Sequence, residues 1–247
     1  MILACDRAGV RLFVVKQNRY NVPVQRLRRV LDRGRFGKLV MGTVRVRWCR
    51  RQDYYDQDTW RGTWALDGGV LANQASHHVD LLMWMLGDVQ SVYAKTATRL
   101  VDVETEDTAA VVLQFTSGAL GIIEATTATR PVDLEGSLSI LGERGTVVIG
   151  GFAVNELVTW KFEDHEPEDE TVIAEAKTTP DNVYGFGHQA FIENAIHTIR
   201  GQGAALVDGL EGRKSIEVIN AIYESVYSGR EIQLRFRQRV SPLGRKS

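Results

Sequence analysis

Between residues 89 and 141 the chain carries four strand-like segments in succession, at 89–100, 108–115, 119–128 and 133–141. Each is rich in β-branched and aromatic residues, and each is bounded by turn residues. Gly118 falls at a hairpin tip between the middle pair. Another turn at Gly142–Gly145 leads into 146–149, and a weaker pair, 156–162 and 170–174, flanks an acidic loop at 163–170. So many adjacent strands without intervening helices must lay down a mostly antiparallel sheet. Helical patterns lie on both sides of this run. Residues 22–31 carry apolar positions at 24, 27, 30 and 31, with Gly34 and Gly37 to end the helix. Residues 70–86 read as a strong helix stopped by Gly87, and 185–200 and 211–228 as two closing helices, the last begun by Asp208-Gly209. Residues 38–47 are a further strand candidate. The expected fold class is α+β, a two-layer α/β domain with one large, mostly antiparallel open sheet covered on one face by helices. The other face of such a sheet needs a partner, so a homo-oligomer through the sheet face is expected.

The first residues read differently. Met1 to Ala8 resemble the last turns of a helix stopped by Gly9, and 10–15 (VRLFVV) a short buried strand. Helix then strand is the tail of an α/β unit. The 247 residues hold no GxGxxG and no GxxxxGK[ST]. The expectation is therefore that 1–17 are a remnant of the end of a dinucleotide-binding domain, that 18–247 form the substrate-binding and oligomerisation domain, and that the chain is a truncated form.

Composition excludes several classes. Apolar residues make up 44% and charged residues 25%, which is ordinary for a globular domain and not for a disordered chain. Thirty Lys and Arg against 31 Asp and Glu leave a net charge of −1, with no excess to draw the chain to nucleic acid or an anionic membrane. The basic tail at 235–239 and 245–246 reads as solvated. Cys5 and Cys49 stand apart without metal spacing, which fits a reducing cytoplasm. No apolar run approaches the ~18–20 residues of a membrane span.

Three patches carry candidate chemistry. On a helix over 70–86, Asn73, His77 and Asp80 fall at i, i+4 and i+7 and share a face. A polar stripe entering an apolar helix points to a cleft, because a buried unpaired polar group costs ~1–3 kcal/mol. The plainer alternative is that His77 or His78 is a hydrogen-bonded core histidine. A metal is not expected, since asparagine is a poor zinc ligand and no third His or Cys is near. The second patch, 16–21 (KQNRYN), follows the 10–15 segment, at the strand end where open α/β sheets place ligand groups. Its alternative is a solvated loop with Asn21 capping the next helix. The third is Trp60-Arg61-Gly62-Thr63-Trp64, inside a long irregular loop at 50–64 with a lid-like composition. Arg61 could clamp a carboxylate or diphosphate, and the tryptophans could stack on a sugar or base or simply pack the loop down.

At these residues the chain resembles a known family. GGVLANQASHHVDLLMWMLG is similar to the signature helix of the Gfo/Idh/MocA oxidoreductases, in their C-terminal domain, and ILGERGTVVIGG and VDGLEGRKSIEVINAIYESVYSGREIQL extend the likeness over nearly the whole chain. KQNRYN and WRGTWALDGG resemble the branch acting at C3 of UDP-N-acetylglucosaminuronic acid, in the synthesis of sugars for bacterial surface polysaccharide such as lipopolysaccharide.

The resemblance implies NAD(P) as cofactor of the parent family, a sugar-nucleotide substrate, and Asn73 and His77 as the catalytic pair beside the nicotinamide. It implies Gln17, Asn18, Arg19 and Tyr20 lining the cleft, with Arg61 and Thr63 from the loop and His78 flanking. The family's Glu-Lys-Pro motif is absent, and Lys16 has the wrong neighbours for it, so Lys16 receives no role. A neutral Asn73 would orient His77 without charging it, leaving the imidazole near its ordinary pKa of ~6.5. This chain alone should neither bind NAD(P) tightly nor turn over. Two alternatives are a non-catalytic sugar-binding or oligomerisation module, and the same fold acting on an inositol or simple hexose.

Overall fold

The computed structural model describes residues 1–176 and 187–234. Among them, eight strands form one sheet in the order β7-β6-β5-β1-β4-β3-β2-β8. The strands are β1 (Leu39–Arg47), β2 (Val89–Ala97), β3 (Thr108–Phe115), β4 (Leu120–Thr126), β5 (Glu135–Gly142), β6 (Gly145–Gly150), β7 (Glu156–Phe162) and β8 (Ile232–Gln233). Two meanders, β2-β3-β4 and β5-β6-β7, are joined by β1, which is parallel to β4 and antiparallel to β5. The expected open, mostly antiparallel sheet is therefore found, with Gly118 at the β3–β4 tip.

Alternation decides which face is which. In β3 the inward positions Ala109, Val111, Leu113 and Phe115 are buried while Ala110, Val112 and Gln114 face out. Helices cover the inner face: α2 (Val22–Asp32), α4 (Ser76–Leu86) and α7 (Gly209–Ser228) pack on β6, β1 and β2 respectively. Helix α2 buries Val24, Leu27 and Val30 as one stripe. Helix α7 starts at Asp208, whose side chain accepts a hydrogen bond from the Glu211 amide at 2.8 Å, and stops at Gly229. Helix α4 is buried almost all round and lies close on β1. A Cβ on Gly42 would come within 2.6 Å of Leu86 and 2.8 Å of Leu82.

Several expectations are corrected. Residues 10–15 form no strand. They make a single bridge, Phe13 to Asp208, and Val10 and Val15 are exposed, because the stretch runs beside 207–208 and away from the sheet edges. It follows α1 (Ile2–Ala8), which buries none of its residues and ends at Gly9 as read. The site helix begins at Ser76, not at residue 70. Residues 170–174 are no strand: a 3-10 turn (Pro167–Glu170) leads into the short helix α5 (Val172–Glu175). The acidic loop before it is tied to the rest of the chain. Asp169 is bound by Arg35 and by the Trp160 indole, and its carboxyl is held far below the usual range by that Arg35 pairing. The long loop at 50–64 contains one helical turn, α3 (Gln52–Tyr55). Helix α6 (Gly187–Ile199) occupies the described part of 185–200; the basic tail from 235 lies outside the described residues.

Candidate active site

The second patch, 16–21, is buried except at Tyr20 and is not a solvated loop. Gln17–Tyr20 is a 3-10 turn in which Gln17, Asn18 and Arg19 are buried, as is Lys16 before it. This turn is seated against α6 and α4. Tyr20 donates a hydrogen bond to Asn194 at 3.0 Å and meets Phe191 edge-on, so its hydroxyl holds α6 and is not offered to a ligand. Asn21 stands at the N-cap of α2, but its side chain donates to the Ala153 carbonyl instead of capping. Asn18 is 4% exposed and its Oδ1 has no partner. A buried, unpaired amide oxygen costs ~1–3 kcal/mol unless something fills the space beside it.

Arg19 does not line the space beside His77. Its guanidinium makes two parallel bonds to Asp80, at 2.7 and 2.8 Å, and a third to Glu211 at 3.0 Å. It also lies over the Trp84 ring at 4.9 Å and lines a separate small cleft with Arg28 and Lys214.

The first patch, on 70–80, is reorganised. Residues 70–75 are turns, because the chain is clamped before the helix begins. Glu106 accepts from the Leu71 amide and from the Tyr223 hydroxyl, both at 3.0 Å, and the Val70 amide bonds to the Glu106 carbonyl at 2.9 Å. Gly69 makes the approach possible: a Cβ there would sit 2.1 Å from Glu106 Oε2 and 2.4 Å from its backbone oxygen. Asn73 is therefore off the helix, and the expected i, i+4, i+7 face fails at its first member. Its side chain donates to Asp67, whose other oxygen accepts from the Gly62 amide at 2.7 Å. Asn73 thus ties down the tryptophan loop.

His77, in the first turn of α4, has a buried Nδ1 without a partner. Burial and then the Lys16 charge push its pKa down to about 4, well below the value expected from sequence. The next ring, His78, points the other way into the core, since successive helical residues are turned ~100° apart. It is 1% exposed, meets Trp48 edge-on, and is pushed down to about 3 by burial and His77. His78 is a core histidine and does not flank the cleft.

Lys16, denied a role on sequence grounds, is brought to the centre of this arrangement. Its Nζ lies 3.5 Å from the Ser76 carbonyl, one residue before His77. Burial lowers its pKa, with Asp80 raising and Arg19 lowering it further. The contact spans 60 residues and leaves no mark in local sequence. Glu106, Tyr223 and Asp67 were missed for the same reason.

In the loop, Arg61 pairs with Asp58 at 2.9 Å and is stacked between Tyr54 and Trp60. Thr63 donates to the Trp60 carbonyl at 2.7 Å. Both line an open cleft of about 360 Å³ with Tyr55 and Asp102, which does not include His77. Among the described residues no cluster of His, Cys, Asp and Glu could hold a metal ion, and no helix is long and apolar enough to cross a membrane.

Residues 28–234 match the model of an oxidoreductase family's C-terminal alpha/beta domain, the Gfo/Idh/MocA group. The WlbA dehydrogenase from Bordetella pertussis, solved in complex with NADH and UDP-GlcNAcA, is 49% identical with a TM-score of 0.91, over 96% of this chain and 68% of that one. The WlbA dehydrogenase from Chromobacterium violaceum, with the same two ligands, is 47% identical with a TM-score of 0.88, over 96% and 66%. A D-apiose dehydrogenase from Rhizobium rhizogenes is 22% identical over 95% of this chain and 67% of its own length. The chain thus spans about two thirds of each of these relatives.

Proposed function

The chain belongs to the Gfo/Idh/MocA oxidoreductase family, whose members include NADH-bound dehydrogenases, and we propose that it forms the substrate wall of a sugar-nucleotide dehydrogenase acting at C3 of UDP-N-acetylglucosaminuronic acid. The observation that carries this reading is the Lys16 amine buried against the Ser76 carbonyl, one residue before His77 and close enough to act on its charge. A buried amine and a buried imidazole, both biased toward their neutral forms, lie at one helix start, and His77 Nδ1 and, two residues past Lys16, Asn18 Oδ1 are buried without partners. Such a pair suits removal of a hydroxyl proton near neutral pH. Nearly half identity to two dehydrogenases that bind UDP-GlcNAcA supports the substrate. The product would serve surface polysaccharide synthesis.

NAD(P), when bound, supplies the hydride acceptor. The unfilled polar atoms at Asn18 and His77 fit the sugar and nicotinamide end of that assembly. The sequence carries no GxGxxG or GxxxxGK[ST] loop of the kind that cradles a dinucleotide's diphosphate. Residues 1–17 are the end of the dinucleotide-binding part and 18–247 the substrate part, with Lys16 delivered from the first to the second. On its own the chain binds NADH weakly and does not turn over. In this reading Lys16 takes the hydroxyl proton and His77 completes the relay, Asn18 and Gln17 contact the sugar, and Asn73, through Asp67, holds the loop that carries Arg61 and Thr63.

Calorimetric titration of the purified chain with NADH, then with UDP-N-acetylglucosaminuronic acid, tests the reading. Sugar-nucleotide binding that weakens in Asn18→Ala is expected. Tight NADH binding, or a preference for a free hexose or inositol, would overturn it.

A further inference from the structure

Asp80 and Lys16 raise a question of charge. Asp80 is 2% exposed, one helical turn past His77, and its charge reaches Lys16, where it opposes the lowering of the amine's pKa by burial without overcoming it. A buried carboxylate beside a buried amine ordinarily forms an ion pair and keeps the amine protonated, by about 1–3 pH units. Here Lys16 makes its one hydrogen bond to the Ser76 carbonyl instead. Asp80 is already occupied: Nε and Nη2 of Arg19 hold both its oxygens. Arg19 is in turn fixed by Glu211 from α7 and by the Trp84 ring, and Glu211 is balanced by Lys214 at 2.8 Å.

We propose that Arg19 is a positioning residue: by filling Asp80 with a bidentate ion pair it denies that carboxylate to Lys16, and so leaves the Lys16 amine free to accept a proton next to His77. An arginine suits this because it stays charged throughout the working range and cannot compete for the proton. The charged groups that act on Lys16 are Arg19 from its own turn and Asp80 from α4; His77 of α4 feels Lys16 and His188 of α6, Glu211 of α7 lies behind Arg19, and Arg28 of α2 lines the same cleft as Arg19 and Asp80. Of these, Asp80 alone is an acid whose effect on Lys16 Arg19 can switch.

The inference rests on the proposed role of Lys16 as proton acceptor, but its test needs no turnover. The ionisation of Lys16 is followed by carbon-detected NMR of the full chain with labelled lysine, the signal assigned by its loss in Lys16→Met. In Arg19→Met and in Arg19→Gln, which can still hydrogen-bond Asp80, the Lys16 pKa is expected to rise by about one unit or more. In Arg19→Gln/Asp80→Asn it should return to the wild-type value or below. An unchanged or lower Lys16 pKa in a cooperatively folded Arg19 variant would overturn the proposal. If only the double variant folds, a Lys16 pKa above wild type in it would do the same. Failure of the sugar-nucleotide titration with these shifts intact would strike the functional reading and leave Arg19's role standing.

Discussion

His77 and His78 are adjacent, yet they face different surroundings, and the difference sets how the protein responds to acid. The His78 ring has both nitrogens buried without partners against Trp48, and its pKa is pushed down to about 3; His77 lies at about 4. Both bind fewer protons folded than unfolded between those values and their ordinary ~6.5. Their contribution is therefore complete above pH ~6.5 and is lost as pH falls through that window. For His78 the loss between pH 7 and pH 4 is on the order of 3 kcal/mol. Urea unfolding across this range should show stability falling with acid in the wild type and a distinctly flatter profile in His78→Leu. An equally steep profile in the variant would mean that His78 is not buried neutral. Sequence singled out His77, since a polar residue leading into an apolar helix marks an entrance, and His77 is the ring that feels the Lys16 charge. It could not separate the two rings' surroundings, and it excluded Lys16 because the motif around that residue was unfamiliar, although the fold buries that amine beside the Ser76 carbonyl.

At the scale of elements, the strands were legible and the start of the site helix was not. Alternation in 108–115 matches the sheet's two faces, and the boundaries read for 108–115 and 156–162 coincide with the observed strands, although a register shift interrupts the alternation in the second. Residues 70–75 have helical composition, but the Glu106 clamp on Val70 and Leu71 delays the helix to Ser76. Such a clamp, 35 residues away, is invisible to periodicity. The segment 170–174 failed for another reason: a short apolar run reads equally as strand or helix turn. The clamp gives its own prediction. Gly69→Ala places a methyl group against both the side chain and the backbone of Glu106, so neither can simply move aside. The expected cost is ~1–3 kcal/mol, read from the urea midpoint, with faster amide exchange at Val70 and Leu71. A neutral substitution would show that the clamp does not hold this turn.

For the whole molecule, the helices leave one sheet face open. That face is neither bare nor uniformly apolar. Val112, Leu120 and Val158 are exposed on it, while Arg45 and Arg47 interlock with Glu124 and Glu135 across β1, β4 and β5. Exposed apolar side chains around a preorganised charge network fit a second copy of the chain, and sedimentation velocity should find a species heavier than the 27.6 kDa protomer that Val112→Lys/Leu120→Lys dissociates. A monomer at every concentration would contradict this. On the helical side, the 3-10 turn is locked to α4 through Arg19 and Asp80, and that lock holds the Lys16 amine at the Ser76 carbonyl beside His77. The measurement that tests this account most directly is chemical-shift mapping of the chain on addition of UDP-N-acetylglucosaminuronic acid, with UDP as the control. The account predicts sugar-dependent shifts at the His77 ring, the Lys16 side chain and the Asn18 amide, beyond those UDP alone produces. Shifts confined to the loop around Trp60 and Trp64, or identical with UDP alone, would contradict it.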